Sequence, residues 1–122
     1  MKIFLIDDNT IDLLISHKLL LKYEPTLNIR EFNKAKDAVV ALQDEQEERP
    51  DLILLDLNMP GMNGWEFLDA IQTIENHPVV YILTSSLDER DKSMSAQYEI
   101  VQGYITKPLN NASISQALSH IH

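Results

Sequence analysis

The sequence predicts an α/β fold, with five strands in one parallel sheet and helices on both faces. Five short apolar segments alternate with five amphipathic ones from one end of the chain to the other. The inner segments Leu52–Leu55 and Val79–Leu83 are apolar throughout, as strands covered on both faces are. The way the segments end is equally informative. Ile3–Ile6 runs into Asp7 and Asp8, Leu52–Leu55 into Asp56, Val79–Leu83 into Thr84, and Tyr104-Ile105-Thr106 into Lys107-Pro108. In a parallel sheet these ends share one edge, where open α/β sheets carry their sites.

The first strand spans about residues 2–6, and a helix follows from about Asn9 to Tyr23. Asn9 or Thr10 caps its start, and Pro25 lies just past its end. Leu27, Ile29 and Phe32, with polar Asn28 and Arg30 between, half-alternate as a strand at a sheet edge does. Ala35, Ala38, Val39 and Leu42 stand at helical spacing before the acidic stretch Asp44–Glu48. Leu52–Leu55 is the third strand, and the loop Asn58–Asn63 leads to a helix with Gly64, Phe67, Leu68 and Ile71 on one stripe. Pro78 introduces the strand Val79–Leu83. The segment Asp88–Tyr98 is the weakest helix, because only Leu87, Met94 and Tyr98 mark an apolar side. Val101–Ile105 is the last strand, and Ile114, Ala117, Leu118 and Ile121 form a helical stripe that reaches the C-terminus.

A length of 122 residues suits one domain with a genuine core, and 44% apolar with 24% charged residues is ordinary for a globular protein. With no cysteine, neither a disulfide framework nor a thiolate metal site is possible, which fits a reducing cytoplasm. No apolar stretch approaches the roughly 20 residues that span a bilayer, so no membrane role is expected. Met1–Ile6 is superficially like a signal peptide, but its apolar run is short and stops at two aspartates. Nineteen acids against ten bases give a net charge of −9, which repels nucleic acid phosphates, so direct nucleic acid binding is not expected. His17, His77, His120 and His122 lack ligand spacing, two of them in a frayed terminus, so no zinc site is indicated. Trp65 reads as a packing or surface residue rather than a ligand stacker.

The adjacent carboxylates Asp7 and Asp8 repel one another at a strand end, and a divalent cation relieves that repulsion. Oxygen ligands suit a hard ion such as Mg²⁺, although an acidic loop capping the first helix also explains the pair. Asp56 ends a buried strand, where a carboxylate is costly unless it is functional. Pro60, Gly61 and Gly64 fix a tight loop that holds it at the strand mouth. Thr84, with Ser85 and Ser86, offers hydroxyls to a phosphoryl oxygen or simply begins the next helix. Lys107 is either a phosphate partner or a solvated lysine, and its bond to Pro108 is of the kind that can be held cis. Three carboxylates balance one Mg²⁺ and one lysine. A phosphoryl group on Asp56 replaces its charge with about two negative charges, so contacts to Lys107 and Thr84 become strong only in the modified state. A switch requires that property. Tyr104, an aromatic on an edge strand, reads first as a packing residue, although a threonine drawn toward phosphate would vacate space beside the fourth strand into which its ring can rotate.

Asp7-Asp8, Asp56 with Asn58-Met59-Pro60-Gly61, Thr84, and Tyr104 with Lys107-Pro108 occur together in one order and spacing. In this the chain, over residues 1–122, resembles the receiver domain of response regulators in bacterial two-component signalling, of the single-domain, chemotaxis-regulator-like kind. The resemblance implies a flavodoxin-like doubly wound sheet ordered 2-1-3-4-5. It implies that Asp56 is the phosphoacceptor, taking phosphate from a sensor histidine kinase, a phosphotransfer protein or a small donor such as acetyl phosphate. It implies Mg²⁺ held by Asp8, Asp56 and the backbone carbonyl of Asn58, with Asp7 assisting through water. Lys107 would pair with the phosphate, and Thr84 and Tyr104 would relay its presence to a face of the fourth helix, fifth strand and fifth helix that binds an output protein.

The sequence departs from the family where a small Gly-Ala pair usually precedes the last strand. Tyr98-Glu99-Ile100 stands there instead, and only Gly103 is small. The fourth helix is also unusually polar. An aspartate-nucleophile phosphatase of the haloacid dehalogenase-like kind needs an acid two positions after its nucleophile, where this chain has Asn58. A flavodoxin-like FMN binder would place phosphate against Asp7-Asp8-Asn9, which repels it. The remaining alternative is an interaction module of receiver fold that works without phosphorylation, against which the full set of site residues argues. The expected protein is thus a cytoplasmic signalling phosphoacceptor and not an enzyme, at most catalysing phosphorylation and dephosphorylation of its own Asp56.

Overall fold

Strand and helix alternate without exception in the computed structural model, which describes residues 1–57, 59, 61–74, 77–85 and 89–121. The elements are β1 (Lys2–Ile6), α1 (Thr10–Tyr23), β2 (Asn28–Phe32), α2 (Ala35–Gln43), β3 (Leu52–Asp56), α3 (Gly64–Ile71), β4 (Val79–Thr84), α4 (Glu89–Ser95), β5 (Val101–Thr106) and α5 (Asn111–Leu118). All neighbouring strands pair in parallel, in the order β2-β1-β3-β4-β5. The half-alternating β2 is an edge strand, and every residue of the apolar β1 and β3 is buried.

Strand periodicity divides the core into two layers. Ile3, Leu5, Leu52, Leu54, Tyr81, Leu83 and Ile105 pack with Leu13 and Leu20 of α1 and Ile114 and Ala117 of α5. Phe4, Ile6, Ile53, Leu55 and Val80 point the other way, toward Ala38, Val39 and Leu42 of α2 and Phe67, Leu68 and Ile71 of α3. Full burial of each such leucine, isoleucine or phenylalanine contributes about 1.5–3 kcal/mol, so the strands are held by packing on both faces. Helix starts are fixed locally. The Asn9 side chain accepts from the backbone N–H groups of Ile11 and Asp12 at α1, and reciprocal capping boxes join Asn63 to Glu66 at α3 and Asn110 to Ser113 at α5.

Several boundaries differ from the expectation. Among the described residues helix α4 covers Glu89–Ser95 and stops short of Tyr98, because Ser95 is its one buried residue and the chain turns at Tyr98 to enter β5. Asp88 and Leu87, expected in or beside that helix, lie outside the described residues. Helix α5 ends at Leu118 instead of running to the C-terminus, and Ile121 follows it in a turn closed by its N–H to the Leu118 carbonyl, 3.1 Å. His120 is not simply frayed, since its ring lies 5.6 Å from that of Tyr81, while His122 is outside the described residues. Asp56 and Thr84 are the last residues of their strands rather than the first residues beyond them.

Gly103 is small for a reason the structure makes plain. β4 and β5 shift register between Val80 and Tyr81, and Gly103 then pairs with Tyr81. A Cβ on Gly103 would stand 2.9 Å from Tyr81 Cε2, and that ring is wholly buried. Gly103→Ala is therefore expected to lower unfolding free energy in urea by about 1–3 kcal/mol, the usual cost of overpacking. The Tyr81 hydroxyl is buried without a hydrogen-bond partner among the described residues. Tyr81→Phe is accordingly expected to change stability by less than about 1 kcal/mol in the same titration.

Candidate functional site

Register alone brings the site together. Ile6 lies opposite Leu55 in the β1–β3 pair, so Asp7 and Asp56 leave adjacent strands side by side. Thr84 pairs with Thr106, and the Lys107 N–H donates to the Thr84 carbonyl at 2.8 Å, which carries Lys107 to the same edge. Alternation places Asp7 after Leu5, Asp56 after Leu54 and Lys107 after Ile105, all on the face covered by α1 and α5. Thr84 follows Ile82 instead, on the opposite face, and sits at the edge between the crevice and the side that carries Tyr104.

The crevice has a volume of about 550 Å³ and is lined by Asp8, Asn9, Asp12, Asp56, Thr84, Ser85 and Lys107 among others. A larger groove of about 990 Å³ between α1 and α2 includes none of the predicted site residues, so size alone does not mark the chemistry. One carboxylate oxygen from each of Asp7, Asp8 and Asp56 lies within 4.8 Å of the others. An all-oxygen set of that span fits a hard divalent cation. Asp56 is largely buried but still lines the opening. Behind it, Gly64 donates its N–H to the Leu57 carbonyl at 3.0 Å, and a Cβ there would stand 2.7 Å from the Leu57 Cα. Gly64 thus lets α3 close against the backbone that carries Asp56.

The Lys107 ammonium lies 2.5 Å from Asp7 Oδ2, 3.0 Å from Asp12 Oδ2 and 3.5 Å from Asp56 Oδ2. Asp7 is also fixed by the Asn9 N–H, which donates to Oδ1 at 3.0 Å. Burial alone pushes the Lys107 pKa down, but hydrogen bonds to Asp7 and Asp12 and the charges of Asp56 and Asp7 outweigh it and raise the value above the ordinary 10.5. The stability contributed by Lys107 protonation is therefore fully present below about pH 10.5 and is lost as pH rises through the folded-state value. The bond from Lys107 to Pro108 is cis.

Tyr104 is half-buried, and its hydroxyl is paired with Ser95 Oγ of α4 and donates to the Lys92 carbonyl at 3.4 Å. Trp65 stacks on Tyr98 with ring centroids 5.9 Å apart, and the Tyr98 hydroxyl donates to Asp69 at 2.7 Å. The aromatic that replaces a small residue before β5 thus ties that segment to α3. Of the predicted residues, Asp7, Asp8, Asp56, Thr84 and Lys107 meet at the crevice, and Tyr104 stands apart on the α4 side. The Asn58 carbonyl, Pro60 and Ser86 lie outside the described residues. Sequence reasoning missed Asp12 and Ser95. An acid in the first turn of a helix reads as an ordinary partner of the helix dipole, and nothing local marks Ser95.

The chain belongs to the response regulator receiver domain family, whose model matches residues 3–119. It is 32% identical over 116 residues to the nitrate/nitrite response regulator protein NarL of Escherichia coli, covering 95% of this chain and 52% of NarL. A protein-glutamate methylesterase/protein-glutamine glutaminase of Pyrococcus horikoshii is 31% identical over 117 residues, covering 93% of this chain and 30% of that protein. The chain therefore spans about half or less of the length of these curated relatives. Among solved structures, a two-component response regulator from Cytophaga hutchinsonii superposes with a TM-score of 0.88 at 27% identity, covering 98% of this chain and 94% of the other. The phosphorylated cyanobacterial phytochrome response regulator RcpA gives 0.79 at 31% identity, with 98% and 89% covered. Among the described residues, no helix is long and apolar enough to cross a membrane.

The crevice gathers the carboxylates of Asp7, Asp8, Asp12 and Asp56, and those of Asp7, Asp12 and Asp56 pair with its ammonium, Lys107. Without divalent cations, Asp56→Asn is expected to raise stability by about 1 kcal/mol through relief of repulsion, whereas Lys107→Met is expected to lower it by roughly 2–4 kcal/mol. Thermal unfolding in chelated buffer at pH 7 measures both.

Proposed function

We propose that this protein is a phosphoacceptor of a two-component phosphorelay, and that Asp56 carries the phosphoryl group. The observation that supports it most directly is the placing of Asp56 at the crevice, with Asp7 and Asp8 oxygens within 4.8 Å and Lys107 at 3.5 Å. An Asp56 oxygen attacks the phosphorus of a phosphohistidine on a sensor kinase or phosphotransfer protein. The P–N bond breaks, its electron pair stays on the imidazole, and an acyl phosphate forms. With acetyl phosphate as donor, the P–O bond breaks and acetate leaves. Hydrolysis of the acyl phosphate returns Asp56 to the carboxylate and releases inorganic phosphate.

The metal assignment is Asp8, Asp56 and the Asn58 carbonyl, with Asp7 supporting through water. Mg²⁺, when bound there, supplies positive charge beside the transferring phosphoryl oxygens. Lys107 contributes a second positive charge from the β5 side, and Thr84 offers a hydroxyl from the end of β4. Asp56 exchanges about one negative charge for two on modification, so Lys107 and Thr84 are drawn toward it. Thr84 lies at the junction with the side where Tyr104 is tied to Ser95. Movement there redistributes two conformations of the face made by α4, β5 and α5, which meets an output protein. The chemistry begins and ends on the protein's own side chain, so its role is signalling and not turnover of a substrate, with the cytoplasm as its compartment. Ile11, Leu14 and Ile15 expose apolar surface on α1 next to the crevice mouth, which suits a protein donor.

Incubation with Mg²⁺ and acetyl phosphate followed by intact mass spectrometry is expected to show one added phosphoryl group. Asp56→Asn is expected to abolish it, and uptake by that variant at the wild-type rate would refute the assignment. Mg²⁺ is expected to raise the wild-type melting temperature in proportion to the logarithm of its concentration above Kd. Asp8→Asn is expected to remove most of that rise, measured by differential scanning calorimetry.

A further inference from the structure

We propose that Asp12, in the first turn of α1, is a positioning residue of this site whose carboxylate restrains the Lys107 ammonium and releases it when a phosphoryl group on Asp56 draws Lys107 inward. The inference rests on the reading of Asp56 as phosphoacceptor and adds a residue to it. An ammonium has three N–H donors. Asp7 takes one at 2.5 Å and Asp12 another at 3.0 Å, while Asp56 lies at 3.5 Å. A phosphoryl group arriving on Asp56 draws the ammonium by its third N–H, and closing that 3.5 Å distance pulls on the two contacts already made, so the more weakly held carboxylate yields.

Exposure decides which one. The Asp7 side chain is 1% exposed and that of Asp56 10%, whereas that of Asp12 is 34% exposed. Asp7 is costly to leave without the ammonium because it is buried, and its other oxygen is already held by the Asn9 N–H. Asp12 borders the opening and exchanges the ammonium for water at little cost. Its backbone is pinned by Asn9, whose side chain accepts the Asp12 N–H at 3.0 Å, so the carboxylate is aimed at Lys107 by the helix cap itself. In the unmodified protein Asp12 steadies Lys107 at the mouth; on modification it is displaced. It therefore opposes phosphoryl uptake.

The test follows phosphoryl uptake from acetyl phosphate in Mg²⁺ by intact mass, for wild type, Asp12→Asn, Asp12→Glu and Asp37→Asn. Asp37 is an exposed acid on α2 outside the crevice and controls for net charge. At low ionic strength Asp12→Asn is expected to raise the second-order rate constant about threefold to tenfold, the excess shrinking as salt rises. Asp12→Glu, which keeps the charge, is expected to stay near wild type, and Asp37→Asn to change the rate by less than about twofold. A purely structural role would shift the melting temperature without this salt-dependent gain. Equal rates for Asp12→Asn and Asp37→Asn would overturn the role of Asp12. A wild type that takes up no phosphate would instead overturn the Asp56 reading, and this inference with it.

Discussion

Like charges crowd the carboxyl edge of this sheet, and the Lys107 ammonium is what makes the crowd tolerable. Asp7 is almost wholly buried, a position a lone carboxylate could not hold without neutralising. Lys107 reaches it on the same face from the end of the edge strand β5, across two intervening strands, because the parallel register brings every strand end to one row. The rest of the architecture serves that meeting. Two layers of apolar packing fix the strands, the strands fix the register, and the register sets the distances between charged groups.

Such a site is electrostatically unfinished. One ammonium cannot balance the carboxylates of Asp7, Asp8, Asp12 and Asp56, so the crevice keeps an affinity for further positive charge. That surplus is the physical basis for a divalent cation, and for sensitivity to any change of charge on Asp56. Glycine does the complementary work behind the charges. Gly64 allows α3 to press on the backbone next to Asp56, and Gly103 leaves room for the Tyr81 ring beneath β5.

The segment before β5 shows how a family frame accommodates an unusual sequence. Where a small residue is the rule, Tyr98 stacks on Trp65 and bonds Asp69, so bulk that would otherwise have to be buried becomes a bridge from α3 to the α4–β5 turn. Helix α4 buries little beyond Ser95, and that serine is the one to which the Tyr104 hydroxyl is tied. The element with least apolar burial is therefore linked by a polar contact to the strand that ends at Lys107. A polar contact of that kind is sensitive to small displacements in a way that an apolar interface is not.

Alternating apolar and amphipathic segments were enough to determine the strands, the helices and the covering of both faces, because burial periodicity is written residue by residue. The unbroken apolar runs marked the inner strands, and the charged or hydroxyl residues at their ends marked Asp7, Asp56, Thr84 and Lys107. Boundaries were less legible where burial was weak, as in α4, or where a capping turn ended a helix before its apolar stripe did, as in α5. Asp12 and Ser95 were invisible for a different reason. Each looks locally like an ordinary helix residue, and only the packing of α1 and α4 against the sheet gives them Lys107 and Tyr104 as partners. Which charges pair, which carboxylate stays wet and which ring fills the space beside Gly103 depend on distances between segments far apart in the chain, and those distances exist only once the sheet has set its register.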